Sequence, residues 1–169
     1  MRSLSTLSLA WFLLISVSNA NTQVKPERAF DFWLGQWELT WSTPKGEQTG
    51  SNRIESILNG KVVEESFTSH GDKPLVGKSH SVFDPKRNLW RQTWVDNAGS
   101  FLTFAGKMEG SEMVLYGTDP LIQTGEDKLL TRMIFKDIEA DTFTWLWQAS
   151  SDEGQSWETR WKIHYQRKR

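Results

Sequence analysis

The chain contains no cysteine. That single absence removes disulfides, thiolate metal sites, a thiol nucleophile and a lipid-modified N-terminal cysteine. An excess of charge is also missing. Twenty Lys and Arg stand against 21 Asp and Glu for a net charge of −1, which indicates neither nucleic acid nor an anionic membrane as a partner. Only three His are present, His70, His80 and His164, and no two stand at metal-ligand spacing, so no metal site is expected. There is no Gly-x-Ser-x-Gly elbow and no phosphate-cradling glycine loop, and nothing in the sequence calls for a cofactor.

A long hydrophobic run is lacking too. The longest, Leu7 to Val17, falls short of the roughly 20 residues of a membrane-spanning helix. It follows Met1-Arg2-Ser3 and precedes Ser18-Asn19-Ala20, the order of a positive start, an apolar stretch and small residues before a cleavage point. Residues 1–20 are therefore expected to be a cleaved signal peptide. Residues 21–169 form one domain, exported to the periplasm or beyond. A mature chain of this size buries roughly 70% of its unfolded surface and needs no covalent staple.

What the chain has in quantity is tryptophan. Ten are present, and only Trp11 lies in the expected signal peptide. From Trp37 onward apolar residues recur with period two, and turn residues interrupt them every 8–12 positions, the pattern of an all-β sandwich or barrel. Ten strands are expected, at 36–43, 48–58, 61–69, 76–83, 89–95, 100–107, 112–117, 128–136, 142–149 and 157–166. Connections this short leave no room for crossover helices, so successive strands pair antiparallel. The expected fold is all-β, a single up-and-down antiparallel barrel. One segment breaks the alternation. Pro26 to Leu34 begins with Pro and Glu and places Phe30, Trp33 and Leu34 on one face, which predicts a short helix plugging one end of the barrel.

The Asn59-Gly60 pair predicts a two-residue hairpin and so a register. Leu58 faces Lys61, Ser56 faces Val63, Ile54 faces Glu65 and Asn52 faces Phe67. The more apolar face, with Leu58, Ile54 and Phe67, turns inward and carries Glu65 with it. A carboxylate pointing into a barrel is costly unless paired or hydrogen-bonded, which marks Glu65 as a candidate site residue. The same parity places Trp37, Leu39 and Trp41 on one inner face. It does likewise for Phe143, Trp145 and Trp147, and for Trp161, Ile163 and Tyr165. On the fifth strand, periodicity alone does not choose between Trp90, Gln92 and Trp94 and the set opposite. Size favours the Trp face. His164 falls on the outer face, whereas His80 reaches the interior if the Asp84-Pro85 hairpin sets it opposite Gln92.

Phe30-Asp31-Phe32-Trp33-Leu34-Gly35-Gln36-Trp37 resembles the opening of the DUF1579 family, bacterial proteins of unknown function with lipocalin-like barrels. The resemblance resumes at Val82-Phe83-Asp84-Pro85, at Trp90 to Gly99 and from Gln148 to Trp157. It implies a calycin-type barrel with a central cavity and implies no activity. Gly35-Gln36-Trp37 is also similar to the Gly-x-Trp of lipocalin first strands, which implies a Trp37 closing the barrel base beneath Arg167 of the last strand. Ser150 to Trp157 has the Asp-box spacing of sialidase propellers, but one copy reads as a hairpin turn held by Asp152 and Gly154. Ten-stranded barrels resembling nitrobindin bind haem through a late-strand His, which raises His164 and then sets it aside on parity.

Three functions stay open at this point: a carrier of a small apolar or amphipathic ligand, an enzyme using Glu65 as acid or base with His80 or Gln92 orienting it, and a solid-cored envelope interaction protein. The candidate ligand-binding residues are Trp41, Ile54, Glu65, Phe67, His80 and Trp90 from the first five strands. Gln92, Trp94, Trp145, Trp147, Trp161 and Tyr165 complete them.

Overall fold

Period-two alternation is realised as ten strands: β1 Gly35–Thr43, β2 Gly46–Ile57, β3 Val62–Ser69, β4 Val76–Asp84, β5 Leu89–Asp96, β6 Phe101–Glu109, β7 Glu112–Gly117, β8 Leu130–Lys136, β9 Thr142–Ser150 and β10 Glu158–Arg167. The computed structural model describes residues 24–118 and 129–169. The expected signal peptide and residue 128, the expected start of the eighth strand, lie outside the described residues. Each strand boundary falls within two residues of its expected position. Every strand pairs antiparallel with its neighbour in sequence, and β1 pairs with β10, so the sheet closes into an up-and-down barrel.

The plug differs in detail from the expected helix. Pro26–Arg28 and Asp31–Trp33 are two single-turn 3-10 helices, closed by bonds such as Trp33 N to Phe30 O at 3.0 Å. A segment this short cannot nucleate a stable α-helix unaided, and aromatic packing dictates its path. Phe30 and Trp33 are buried as expected, against Trp90 and Phe135. The Trp90 indole N–H donates to Pro26 O at 2.9 Å, and the Trp37 indole N–H to Trp33 O at 2.8 Å.

Arg167 locks this end. Its guanidinium lies 4.1 Å from the Trp37 ring centroid and donates to Leu34 O at 2.7 Å, Phe32 O at 3.0 Å and Ala140 O at 2.9 Å. The expected Trp37–Arg167 closure is present. Gly35 leaves room for it: at φ +124°, a Cβ there would lie 2.5 Å from an Arg167 nitrogen.

Two expectations need correction. The β2–β3 register is as expected, with Ile54 opposite Glu65 and Asn52 opposite Phe67. The turn, however, runs through three left-handed residues, Leu58, Asn59 and Gly60, which carries Leu58 out of the sheet to 69% exposure. On β4, Ser81 and not His80 lies opposite Gln92. A four-residue turn at Pro85–Asn88, tied by the Asp84 carboxylate accepting from Lys86 and Arg87 N–H, shifts the ladder by one residue. A one-residue shift reverses every side chain. His80 therefore points to solvent, its Nε2 2.9 Å from Glu64, while Ser79 and Ser81 turn inward.

One stretch of the wall is not zipped. The β1–β10 ladder runs from Trp37–Arg167 to Thr40–His164 and stops there, whereas β1 pairs with β2 along its full length. A groove lined by Thr40, Trp41, Ser42, Trp161 and Lys162 follows this seam.

Replacing Arg167 by Ala leaves the Leu34 and Phe32 carbonyls without their donor and strips the Trp37 ring. The expected loss is about 2–4 kcal/mol of unfolding free energy in urea titration. Arg167→Lys restores only part of it, because an ammonium does not reach three carbonyls in a plane.

Candidate ligand-binding cavity

Inward parity from opposite sides of a ten-stranded barrel leaves a cavity of about 290 Å³ above the plug. Its lining is of two kinds. The polar part belongs to β2–β5 and is built around Glu65, which is buried. Glu65 Oε1 accepts from Asn52 Nδ2 at 2.6 Å, and Oε2 accepts from Ser79 Oγ at 2.6 Å. Asn52 Nδ2 also lies 3.2 Å from the Tyr165 hydroxyl, and Gln92 Nε2 donates to Ser81 Oγ at 2.9 Å. These partners sit on adjacent strands because β2–β3 and β3–β4 pairing sets Ile54 and Ser79 opposite Glu65. Burial pushes the Glu65 carboxyl up to about 6, against the opposing hydrogen bonds from Ser79 and Asn52. Burial, and then the Glu65 charge, raise the Tyr165 phenol well above its ordinary value, so it stays neutral.

The rest of the lining is largely aromatic, with Phe104 of β6 and Trp145, Trp147 and Trp161 of β9 and β10 joined by Phe67 of β3 and Trp94 of β5. Its rings form a chain of edge-to-face contacts. Phe104 meets Trp147 at 5.6 Å, Trp145 meets Trp161 at 5.8 Å, and Trp161 meets Phe67 at 5.9 Å. Trp145 and Trp147 are parallel neighbours at 6.4 Å, and Phe67 meets Trp94 at 6.0 Å. Such pairs lock one another's orientation and contribute roughly 0.5–1.5 kcal/mol each beyond burial. Trp94 is fixed twice more. Its indole N–H donates to Asp96 Oδ2 at 2.9 Å, and its ring lies against Gly77, where a Cβ would stand 2.1 Å from Cζ2. Burial pushes Asp96 up, but hydrogen bonds from Trp94, Ser100 and Ala98 outweigh it and hold the carboxyl below its ordinary value. Among the described residues two buried polar atoms have no hydrogen-bond partner, Asn52 Oδ1 and the indole nitrogen of Trp33, the cavity floor.

Of the residues singled out from sequence, the cavity brings together Glu65, Phe67, Gln92, Trp94, Trp145, Trp147, Trp161 and Tyr165. Ile54 and Trp90 are buried in the core but do not line it, Trp90 being taken up by the plug. Trp41 touches Trp161 at 5.4 Å and lines the seam groove instead. His80 is outside altogether. Sequence reasoning missed Leu102, Phe104 and Asp96, although alternation marks them, and Met133 and Phe135, whose strand is apolar on both faces. Leu75 enters from the β3–β4 connection, where no periodicity exists to reveal it.

The Asp-box segment is a turn. Asp152 accepts from Ser150 Oγ, Ser156 N and Ser156 Oγ, which hold its carboxyl down at about 2, and Trp157 lies under the Arg132 guanidinium at 4.1 Å.

Comparisons place this geometry in company. A family model described as "Protein of unknown function (DUF1579)" matches residues 26–167. No curated protein matches the chain. Among solved structures, the chain is similar to Rv2717c from M. tuberculosis, with TM-score 0.58 at 15% identity over 86% of this chain and 99% of that one. A redesigned β-barrel, b11L5F_LGL, aligns at TM-score 0.44 and 12% identity over 84% of this chain and 96% of that one. At these identities the likeness to Rv2717c is one of fold.

The raised Glu65 carboxyl makes stability depend on pH in a stated direction. Folding favours the protonated form, so its contribution is complete below about 4.5 and is lost as pH rises through about 6, amounting to about 2 kcal/mol. Glu65→Gln is therefore expected to be more stable than the parent by up to about 2 kcal/mol at pH 8 and to show no advantage at pH 4. Paired urea titrations at the two pH values check this.

Proposed function

Because the chain belongs to the DUF1579 family, whose function is unknown, we propose from the cavity itself that this is an exported barrel that takes up a small, largely apolar molecule bearing one polar group. The observation that carries the reading is an interior lined both by a hydrogen-bonding cluster around Glu65 and by a set of aromatic rings, with about 290 Å³ left among them. A solid core has no such space, since interiors close to near-crystalline density. The volume stands at the small end of the ligand-pocket range and suits a small ligand. Carriage or sequestration needs nothing more than this.

Catalysis is the second reading, and Glu65 is the observation that favours it. A buried carboxyl at about 6 that lines a cavity titrates near the range where general acids and bases work. His80 does not orient it, because His80 is on the outer surface. Gln92 is already committed to Ser81. The haem reading finds little support. All three His are exposed, and a tetrapyrrole is much larger than the cavity.

Filling the cavity tests uptake. Small neutral aromatics are expected to change tryptophan emission in the parent protein. Leu102→Trp, which enlarges a lining residue, is expected to abolish the response while the far-ultraviolet spectrum stays that of the barrel. A response that survives the substitution would place the ligand elsewhere. Export is checked separately by the mass of the protein recovered from its host, which is expected to begin near Asn21.

A further inference from the structure

Resting on the reading of the barrel as ligand-binding, we propose that the polar group of the ligand is a cation, an organic ammonium seated between the Glu65 carboxylate and the aromatic wall. The first ground is charge. Among the described residues two carboxylates line the cavity, Glu65 and Asp96, and no Lys, Arg or His does. Asp96 is occupied by three hydrogen bonds that fix Trp94 and its own loop. Glu65 is different. Its partners, Asn52 and Ser79, are both neutral, and no ion pair reaches it. A buried carboxylate without a counter-ion is an expensive arrangement, and a bound cation offsets that cost where a neutral ligand does not.

The second ground is the aromatic lining. Trp145, Trp147 and Trp161 of β9 and β10 line one cavity with Glu65 of β3, and Phe67, two residues along from Glu65, joins them through its contact with Trp161. Tryptophan faces attract cations most strongly of the aromatic side chains, and more so where water is excluded. A carboxylate sharing a cavity with several indoles is a site for positive charge spread over apolar groups, the chemistry of methylated or alkylated amines. The same field rejects fatty acids and other anions, the ligands an apolar barrel otherwise suggests. At neutral pH the Glu65 carboxyl, raised to about 6, is still mostly ionised.

Three probes of matching shape separate the possibilities: benzyltrimethylammonium, its neutral isostere neopentylbenzene and the anion benzylsulfonate, each titrated against the full mature protein at pH 7.5 by calorimetry and tryptophan emission. The expected order is cation above neutral by about tenfold or more, with the anion not bound. Glu65→Gln is expected to remove most of that preference, read as the ratio of cation to neutral affinity in the same variant. If the neutral probe binds as tightly as the cation, or the anion binds at all well, the cation assignment is overturned while the ligand-binding reading stands. If none of the three binds, both fall. Should Glu65→Gln fail to fold, the ranking in the parent protein alone decides.

Discussion

The contact on which the barrel depends is the Arg167 guanidinium laid over the Trp37 ring. It joins the last strand to the first and satisfies carbonyls of the plug and of the β8–β9 connection. A sheet of ten antiparallel strands has two edges until something brings them together, and closure alone removes both. Holding β1 and β10 at Trp37–Arg167 fixes the register across the seam, and the turns then settle which side chains of the other strands share the interior. The plug then stops the hollow from running through. Phe30 and Trp33 fill the base with Trp90 and Phe135, so the remaining space lies above them.

That space keeps a polar group where an ordinary core would have none. Holding Glu65 ionised costs about 2 kcal/mol, a sizeable part of the roughly 5–15 kcal/mol by which domains are stable. A leucine at the same position would remove that cost but take from the buried Ser79 hydroxyl its Glu65 acceptor and leave the Asn52 amide the Tyr165 oxygen. The side chains around Glu65 are arranged to tolerate the carboxylate and not to neutralise it. Stability has been conceded where a site would need it, as strained or unpaired groups at functional positions commonly show.

Much of this was legible in the residues, and the failures are informative. Alternation and turn spacing located all ten strands, and the Asn59-Gly60 hairpin placed Glu65 inside, because a tight turn converts sequence distance directly into register. The Asp84-Pro85 turn gave no such guarantee. Its length is set by side-chain bonds from Asp84 and a left-handed Asn88, and the difference of one residue exchanged His80 for Ser81. Parity also does not rank depth. It put Trp90, Trp94 and Trp41 on equal terms. The plug claims the first, the cavity the second and the seam the third, distinctions created by contacts between segments far apart in the chain. Leu75, on an irregular connection, was beyond any periodic reasoning.

Along the upper half of β1 and β10, neighbouring strands are joined by the Trp41 and Trp161 rings where elsewhere backbone hydrogen bonds would join them. Separating two strands there disrupts side-chain contacts and leaves every ladder intact. Breathing motions of a barrel begin where the fewest backbone bonds must be broken. In this protein that place lies behind Trp161, which is also a wall of the cavity. Among the described residues the staves are hooped tightly at the bottom and loosely at this joint near the rim, so local opening there would bare Trp161 to solvent and leave the hoops in place.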